Sequence, residues 1–234
     1  MNVIMPVFIT TDETLELTKQ AIQSLGEVSL TIVDNASILG GGYLRSIADI
    51  YIRNNENLGY AKAVNQGLKL ANDEYIAIAN NDIRISHNWQ EVAQEVFGDN
   101  EKAYSCHFRM TDYDVPFQHG KAIVYEGKER WCTSSFFVIH SKIPELYDEQ
   151  YLNSYDDWDM WYRIRQKGLK TVYTDKACYQ HKHSHTQSLI SEREENNKRN
   201  KEYFKTKWGE YAEILFERQY SEQMATPYQK GFEL

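Results

Sequence analysis

The chain has 234 residues, 41% hydrophobic and 26% charged, with 26 Lys and Arg against 34 Asp and Glu for a formal net charge of -8. That length suits one sizeable domain with a full core, and the composition is globular rather than disordered. The acid excess argues against duplex DNA or an anionic membrane as the main partner.

Residues 2–9 are apolar and β-branched and predict a buried strand. Thr10-Thr11-Asp12-Glu13 then reads as a capping box, followed by the apolar positions Leu15, Ala21, Ile22 and Leu25, with Gly26 as a stop. A second strand over residues 30–33 ends in Asp34-Asn35. A flexible loop holding Gly40-Gly41-Gly42 and a short helical turn lead to a third strand over residues 50–53. A polar loop over residues 54–59 precedes a helix over residues 60–71, and a fourth strand over residues 75–79 ends in Asn80-Asn81-Asp82. This β-α-β-α-β-α-β order predicts an α/β fold with a parallel sheet and helical crossovers. The second half is less regular. It predicts a helix over residues 89–97, a strand over 131–140, an amphipathic helix over 154–167, a strand over 170–174 and a charged helical tail over 191–220.

The cysteines Cys106, Cys132 and Cys178 form neither a metal knuckle nor a disulfide framework, which fits a reducing compartment. The first residues make a poor signal peptide, and no stretch has the length of a membrane span. A cytoplasmic protein is the expectation. The glycine run matches neither the dinucleotide fingerprint nor a P-loop.

Ligands of open α/β sheets bind outside the carboxyl ends of the strands. Here Thr10 follows the first strand, Asp34 and Asn35 the second, Asn54, Asn57 and Gly59 the third, and Asn80 and Asp82 the fourth. Any one of these serves equally as a local turn former. Four sets in register on one rim point to a nucleotide-type ligand.

On a helical wheel, Asp156 and Asp159 fall on the polar face of the 154–167 helix, with Asp159 and Arg163 as an i,i+4 pair. Asp157 falls within the apolar arc of Trp158, Met160, Trp161, Tyr162 and Ile164. The residues alone fit two roles for Asp157, a capping box with Ser154 and a carboxylate raised toward a general base by partial burial. His181, His183 and His185 alternate, so on an extended segment they would share one face, as a metal site or as a solvated polar loop. Trp131, Trp158 and Trp161 fit sugar stacking or core packing.

Val33-Asp34-Asn35-Ala36-Ser37, Asn57-Leu58-Gly59-Tyr60-Ala61 with Asn65-Gln66-Gly67, and Asn80-Asn81-Asp82-Ile83 resemble the first half of inverting GT-A glycosyltransferases of family 2. Tyr155-Asp156-Asp157-Trp158-Asp159 with Arg163 and Gly168, then Ala177 to His181, resemble that family's later motifs. The order and spacing of the segments carry the resemblance over residues 2 to about 185, and a rhamnosyl- or galactosyl-transferase is the nearest type.

The resemblance implies a GT-A fold: a Rossmann-like nucleotide-binding half over residues 1–84, an acceptor-binding half over 85–190, a mixed central sheet, and a C-terminal helical extension over 191–234 packed on the same domain. It implies a nucleoside-diphosphate sugar as donor, with a UDP-sugar favoured, and an acceptor hydroxyl on a glycan, lipid, protein or modified nucleotide. Asp34 would meet the base or ribose. Pro6, Thr10, Asn35, Asn57, Gly59, Lys62, Asn65 and Asn81 would line the nucleotide. Asp82 would end an Asp-x-Asp metal motif whose first position is here Asn80, and His181 would close that site around Mn²⁺ or Mg²⁺. Asp157 would be the general base and Asp156 its acceptor-orienting neighbour, with Trp131, Trp158 and His183 on the acceptor side. The processive Q-x-x-R-W element is absent from the sequence, which favours transfer of a single sugar. A sugar-phosphate nucleotidyltransferase would want a glycine-rich loop after the first strand, and a silent sugar-nucleotide-binding module would not need the acidic helix.

Overall fold

The computed structural model describes residues 1–111, 135–141, 147–182 and 193–210. The first half runs β1 (Asn2–Val7), α1 (Asp12–Leu25), β2 (Ser29–Asp34), α2 (Gly41–Ile47), β3 (Ile50–Arg53), α3 (Tyr60–Leu68) and β4 (Tyr75–Ala79). There follow β5 (Ile83–Ile85), α4 (Trp89–Asp99), β6 (Ala103–Thr111), β7 (Phe136–His140), α5 (Asp156–Gln166), β8 (Lys170–His181) and α6 (Arg193–Trp208). The described strands form one eight-stranded sheet in the order β3-β2-β1-β4-β7-β6-β8-β5. β1 pairs in parallel with both β2 and β4, and β2 with β3, whereas β7 runs antiparallel to β4 and β6.

Alternation along β1 explains why the sheet is covered on both faces. Val3, Met5 and Val7 join one core with Ala21 and Leu25 of α1 and Trp89 of α4. Ile4 points the other way, into a second core with Ala61 and Val64 of α3 and Met160, Trp161 and Ile164 of α5. Gly67 lets α3 lie close on β1, because a Cβ there would come within 2.4 Å of Ile4 Cγ2. Pairing of β1 with β4 ends at Ile4↔Ile78, so Pro6 lies beyond the doubly paired stretch and its missing N–H disrupts no central ladder.

Several boundaries differ from those predicted. The cap of α1 is Thr11, whose hydroxyl accepts from Thr14 N at 3.1 Å, one residue later than the Thr10–Glu13 box. The glycine run is not a loose loop: Gly40, at φ 78, caps α2, and Gly41 and Gly42 form its first turn. The helix predicted to reach residue 71 stops at Leu68. β6 was not predicted, although Ala103 to Phe108 are buried throughout. β8 runs to His181 rather than stopping at 174, because β6 and β5 flank it and extend its ladder. Residues 131–134 of one predicted strand, and the tail beyond residue 210, lie outside the described residues.

α6 docks on the segment around α5. Phe204 and Tyr151 are buried together, with Tyr155, Trp158, Tyr162, Tyr203 and Trp208 packed around them. Lys207 Nζ bridges Asp148 Oδ2 at 2.6 Å and Asp159 Oδ1 at 2.7 Å, and Trp208 Nε1 donates to Asp159 Oδ1 at 2.8 Å. Among the described residues no helix is long and apolar enough to cross a membrane.

Candidate active site

Three groups of polar residues stand at strand and helix ends. At the β2–β3 rim, Asp34 is fully buried and both its oxygens are taken. Oδ1 accepts from Ser37 N at 2.8 Å, and Oδ2 accepts from Tyr51 Oη at 2.6 Å and from the Arg53 guanidinium. Arg53 also donates to the Ser37 carbonyl at 2.9 Å. Burial, and then the hydrogen bond to Asp34, push the Tyr51 phenol up. Neither Tyr51 nor Arg53 was predicted. The signal for both lay in Ile50-Tyr51-Ile52-Arg53, since period 2 puts them on one face and register sets Arg53 beside Asp34.

Asn35 lashes the following loop to this rim. Its Oδ1 accepts from Asn54 Nδ2 at 2.9 Å and Leu58 N at 3.3 Å, and its Nδ2 donates to the Gly59 carbonyl at 3.1 Å. Asn57 closes a turn by accepting from Gly59 N at 3.0 Å. Gly59 has φ 84, and a Cβ there would meet Leu152 Cδ2 at 3.3 Å. Pro6 is buried at the end of β1, while Thr10 and Lys62 are half-buried. Asn65 and Asn81 are interior braces. Asn65 exchanges hydrogen bonds with the Tyr147 backbone at 2.9 and 2.8 Å and donates to Glu149 at 2.9 Å. Asn81 donates to Thr18 Oγ1 at 2.9 Å and so ties the β4–β5 turn to α1.

The second group is a corner where β4, β5 and β8 meet. Antiparallel pairing of β5 with β8 sets Ile83 opposite His181, which brings the imidazole to Asp82. His181 Nε2 lies 3.1 Å from Asp82 Oδ1, and Nδ1 lies 3.1 Å from Ser135 Oγ, which fixes the ring. The Ser135 carbonyl accepts from Asn80 N at 2.8 Å. Asn80 Oδ1 is buried with no hydrogen-bond partner in the described structure. Among the described residues no cluster of three or more His, Cys, Asp or Glu side chains gathers, so the corner offers one carboxylate, one imidazole and one orphaned amide oxygen. That donor set fits a divalent ion of the Mn²⁺ type, which takes oxygen ligands with an imidazole, and a cation would satisfy the amide oxygen. His183 lies outside the described residues, as does Trp131.

The third group is the start of α5, and here the helical-wheel reading is overturned. Asp156 and Asp159 are buried, whereas Asp157 is half-buried; α6 covers Asp159 through Lys207 and Trp208, while Asp156 faces the charge of Asp157 and the phenol of Tyr60 at the head of α3. The predicted Asp159–Arg163 pair forms, with Nε to Oδ2 at 2.8 Å, but inside the seam between α5 and α6. No capping box exists. Tyr155 caps α5 at φ 64 without a side-chain bond, Ser154 Oγ accepts from Asn200 Nδ2 at 2.9 Å, and Asp157 Oδ1 accepts from Trp158 N at 2.9 Å. Burial, reinforced by the neighbouring Asp157 charge, pushes Asp156 up to about 7. Trp158 packs on Tyr155 at 4.8 Å between ring centres and belongs to the aromatic seam.

The acid turn and the first rim meet. Tyr60 heads α3 directly after Gly59, and its backbone N–H donates to Asn153 Oδ1 at 3.0 Å. Its phenol is pushed well up, first by burial and then by Asp156 and Asp157.

The model of one protein family, glycosyl transferase family 2, matches residues 2–170. No curated protein sequence matches the chain. Among similar solved structures is the mannosyltransferase PcManGT from Pyrobaculum calidifontis in complex with GDP-Man and Mn²⁺, at TM-score 0.59 and 14% identity over 76% of this chain and 55% of that one. GalNAc-T7 with UDP, GalNAc and Mn²⁺ gives 0.59 and 13% over 77% and 43%. S. aureus TarS 1-349 with UDP-GlcNAc gives 0.57 and 13% over 81% and 60%. At such identities the likeness establishes the fold, which is GT-A-like with a mixed central sheet. The chain spans about half the length of these structures.

Proposed function

The chain belongs to glycosyl transferase family 2, and on that premise we propose that it moves one sugar, with inversion, from a nucleoside-diphosphate sugar to an acceptor hydroxyl. The observation that carries this reading is the joining of the nucleotide-side rim to a carboxylate pair. Asn35 holds Gly59, and the adjacent Tyr60 N–H is held by Asn153, three residues before Asp156. A UDP-sugar is the favoured donor, in keeping with the UDP or UDP-GlcNAc held by two of the similar structures.

Asp34, fixed by Ser37, Tyr51 and Arg53, forms the floor of the base and ribose site, with Thr10, Asn57, Gly59 and Lys62 around it. Asp82, His181 and the Asn80 oxygen would hold Mn²⁺ or Mg²⁺. When bound, that ion neutralises charge on the departing diphosphate. Asp157, the more accessible carboxylate, takes the proton of the acceptor hydroxyl as its oxygen bonds to the anomeric carbon. The bond to the diphosphate breaks on the opposite face, and the nucleoside diphosphate leaves with that electron pair. Burial and the neighbouring Asp157 charge raise the Asp156 carboxyl, which favours its protonated form and limits the charge packed beside Asp157.

The test is a panel of UDP-, GDP- and dTDP-sugars with Mn²⁺ or with chelator, following release of nucleoside diphosphate. Slow hydrolysis of one donor, lost in Asp82→Ala, is expected. A chain whose melting temperature responds to no nucleoside diphosphate, with or without metal, sinks the proposal.

A further inference from the structure

We infer that Asn200, on a helix beyond the family match, is a positioning residue for the acid pair, holding the turn that aims Asp156 and Asp157. The inference rests on the reading of Asp157 as base. The turn before α5 is unusual, since Asn153 and Tyr155 both adopt left-handed backbone, at φ 57 and φ 64, without being glycine. Such a conformation persists only where the surroundings over-determine it. Asn200 supplies that constraint. It is 1% exposed, and its Nδ2 donates to the Leu152 carbonyl at 3.0 Å, the Ser154 carbonyl at 2.9 Å and Ser154 Oγ at 2.9 Å. Its Oδ1 accepts from Leu152 N at 3.4 Å and from Arg199 Nη2 at 3.2 Å. One amide thus grips the residues on either side of Asn153, whose own side chain holds Tyr60 N. The acid pair and the start of α3 therefore hang from the same turn.

Docking of α6 has anchors besides this amide. Lys207, Trp208 and Phe204 fasten the helix through Asp148, Asp159 and the aromatic seam. Asn200 therefore adds alignment to a helix already held, and its removal leaves a folded chain whose turn can relax. A misplacement of about 1 Å at reacting groups costs on the order of 100-fold in rate.

The experiment uses the full chain with Asn200→Leu, which keeps the branching and heavy-atom count of the side chain and loses the hydrogen bonds. Asn200→Ser serves as a smaller variant should the leucine not fold. Tyr203→Phe removes the contact of Tyr203 with Asp148 at 2.9 Å on the same helix, away from the turn, and is the docking control. Turnover is read as UDP release from the UDP-hexose that the unaltered chain hydrolyses fastest, with water as acceptor. Asn200→Leu is expected to lower kcat by about 10- to 100-fold, with KM changing by less than about threefold. Tyr203→Phe stays within about twofold. A second readout needs no donor. The midpoint of melting temperature against pH, set by Asp156 with Asp157, Asp159 and Tyr60 around it, moves in Asn200→Leu toward the ordinary carboxylate range and is unmoved in Tyr203→Phe. Equal small losses in both variants with an unmoved midpoint overturn the positioning role. Asp157→Asn, run in parallel, separates the two readings: full turnover there overturns the base assignment instead.

Discussion

Asp34, at the end of β2, and Asp156, at the start of α5, are both buried carboxylates, and they are buried in opposite ways. Asp34 is met by a backbone N–H, a phenol and a guanidinium, so its charge is matched on every side. Asp156 sits beside another carboxylate, at the end of a left-handed turn, and burial raises its carboxyl. The first arrangement makes a rigid floor on which a ligand can rest. The second leaves burial and a like charge to raise the carboxyl of Asp156, with no cation matched to it among the described residues. Asp159, three residues along the same helix, resembles Asp34: Arg163, Lys207 and Trp208 saturate it, and it serves architecture.

This contrast can be tested by removing one carboxylate at a time. The largest effect is expected from Asp157→Asn, which should lower transfer by roughly 10²- to 10⁴-fold with nucleotide affinity intact; steady-state turnover beside a nucleotide titration checks both halves. Asp34→Ala should strand Arg53 and Tyr51 and cost about 2 to 3 kcal/mol of stability, measured by urea unfolding, along with loss of nucleotide binding. A smaller effect is expected at the cation corner, where Asp82→Ala should abolish the Mn²⁺-dependent part of the melting shift induced by UDP while sparing the shift seen with chelator. The smallest is a change of slope. The carboxyl of Asp156 is raised in the fold above its unfolded value near 4, so the native state binds the proton more tightly. Its ionisation therefore removes stability as pH rises from about 4 to about 7. Asp156→Asn should match the unaltered chain at pH 4 and be the more stable of the two at pH 8, as thermal melts across that range would show. A constant gap would mean that Asp156 does not titrate in the fold.

The parallel half of the molecule was legible because its signals are local. Unbroken apolar strands, each closed by polar turn residues, gave β1 to β4 and the rim bearing Asp34, Asn57 and Asp82. β6 escaped notice because Ser105 and His107 interrupt its apolar run, and both are buried only because sheet neighbours and Trp161 cover them. The error at α5 has the same origin. A helical wheel assigns the acidic face to water, and nothing in residues 154–167 announces that an aromatic helix from residues 193–208 will cover Asp159. Asn65 and Asn81, expected at the nucleotide from their motifs, also brace the fold, through Tyr147 and Thr18, in a way their spacing does not announce.

The sequence by itself determined the α/β class, the order of the first four strands, the Asp159–Arg163 pair and the residue types gathered at the strand ends, since each follows from period, capping or a spacing of a few residues. Only the tertiary structure decided what those residues do to one another. It brought His181 to Asp82 across the β5–β8 pairing, locked Asp34 with Tyr51 and Arg53, and buried Asp156 and Asp159 while leaving Asp157 half-buried, with α6 docked over Asp159. The physical reason is that burial and charge pairing depend on which distant surface covers a side chain, and that cannot be computed from its neighbours along the chain.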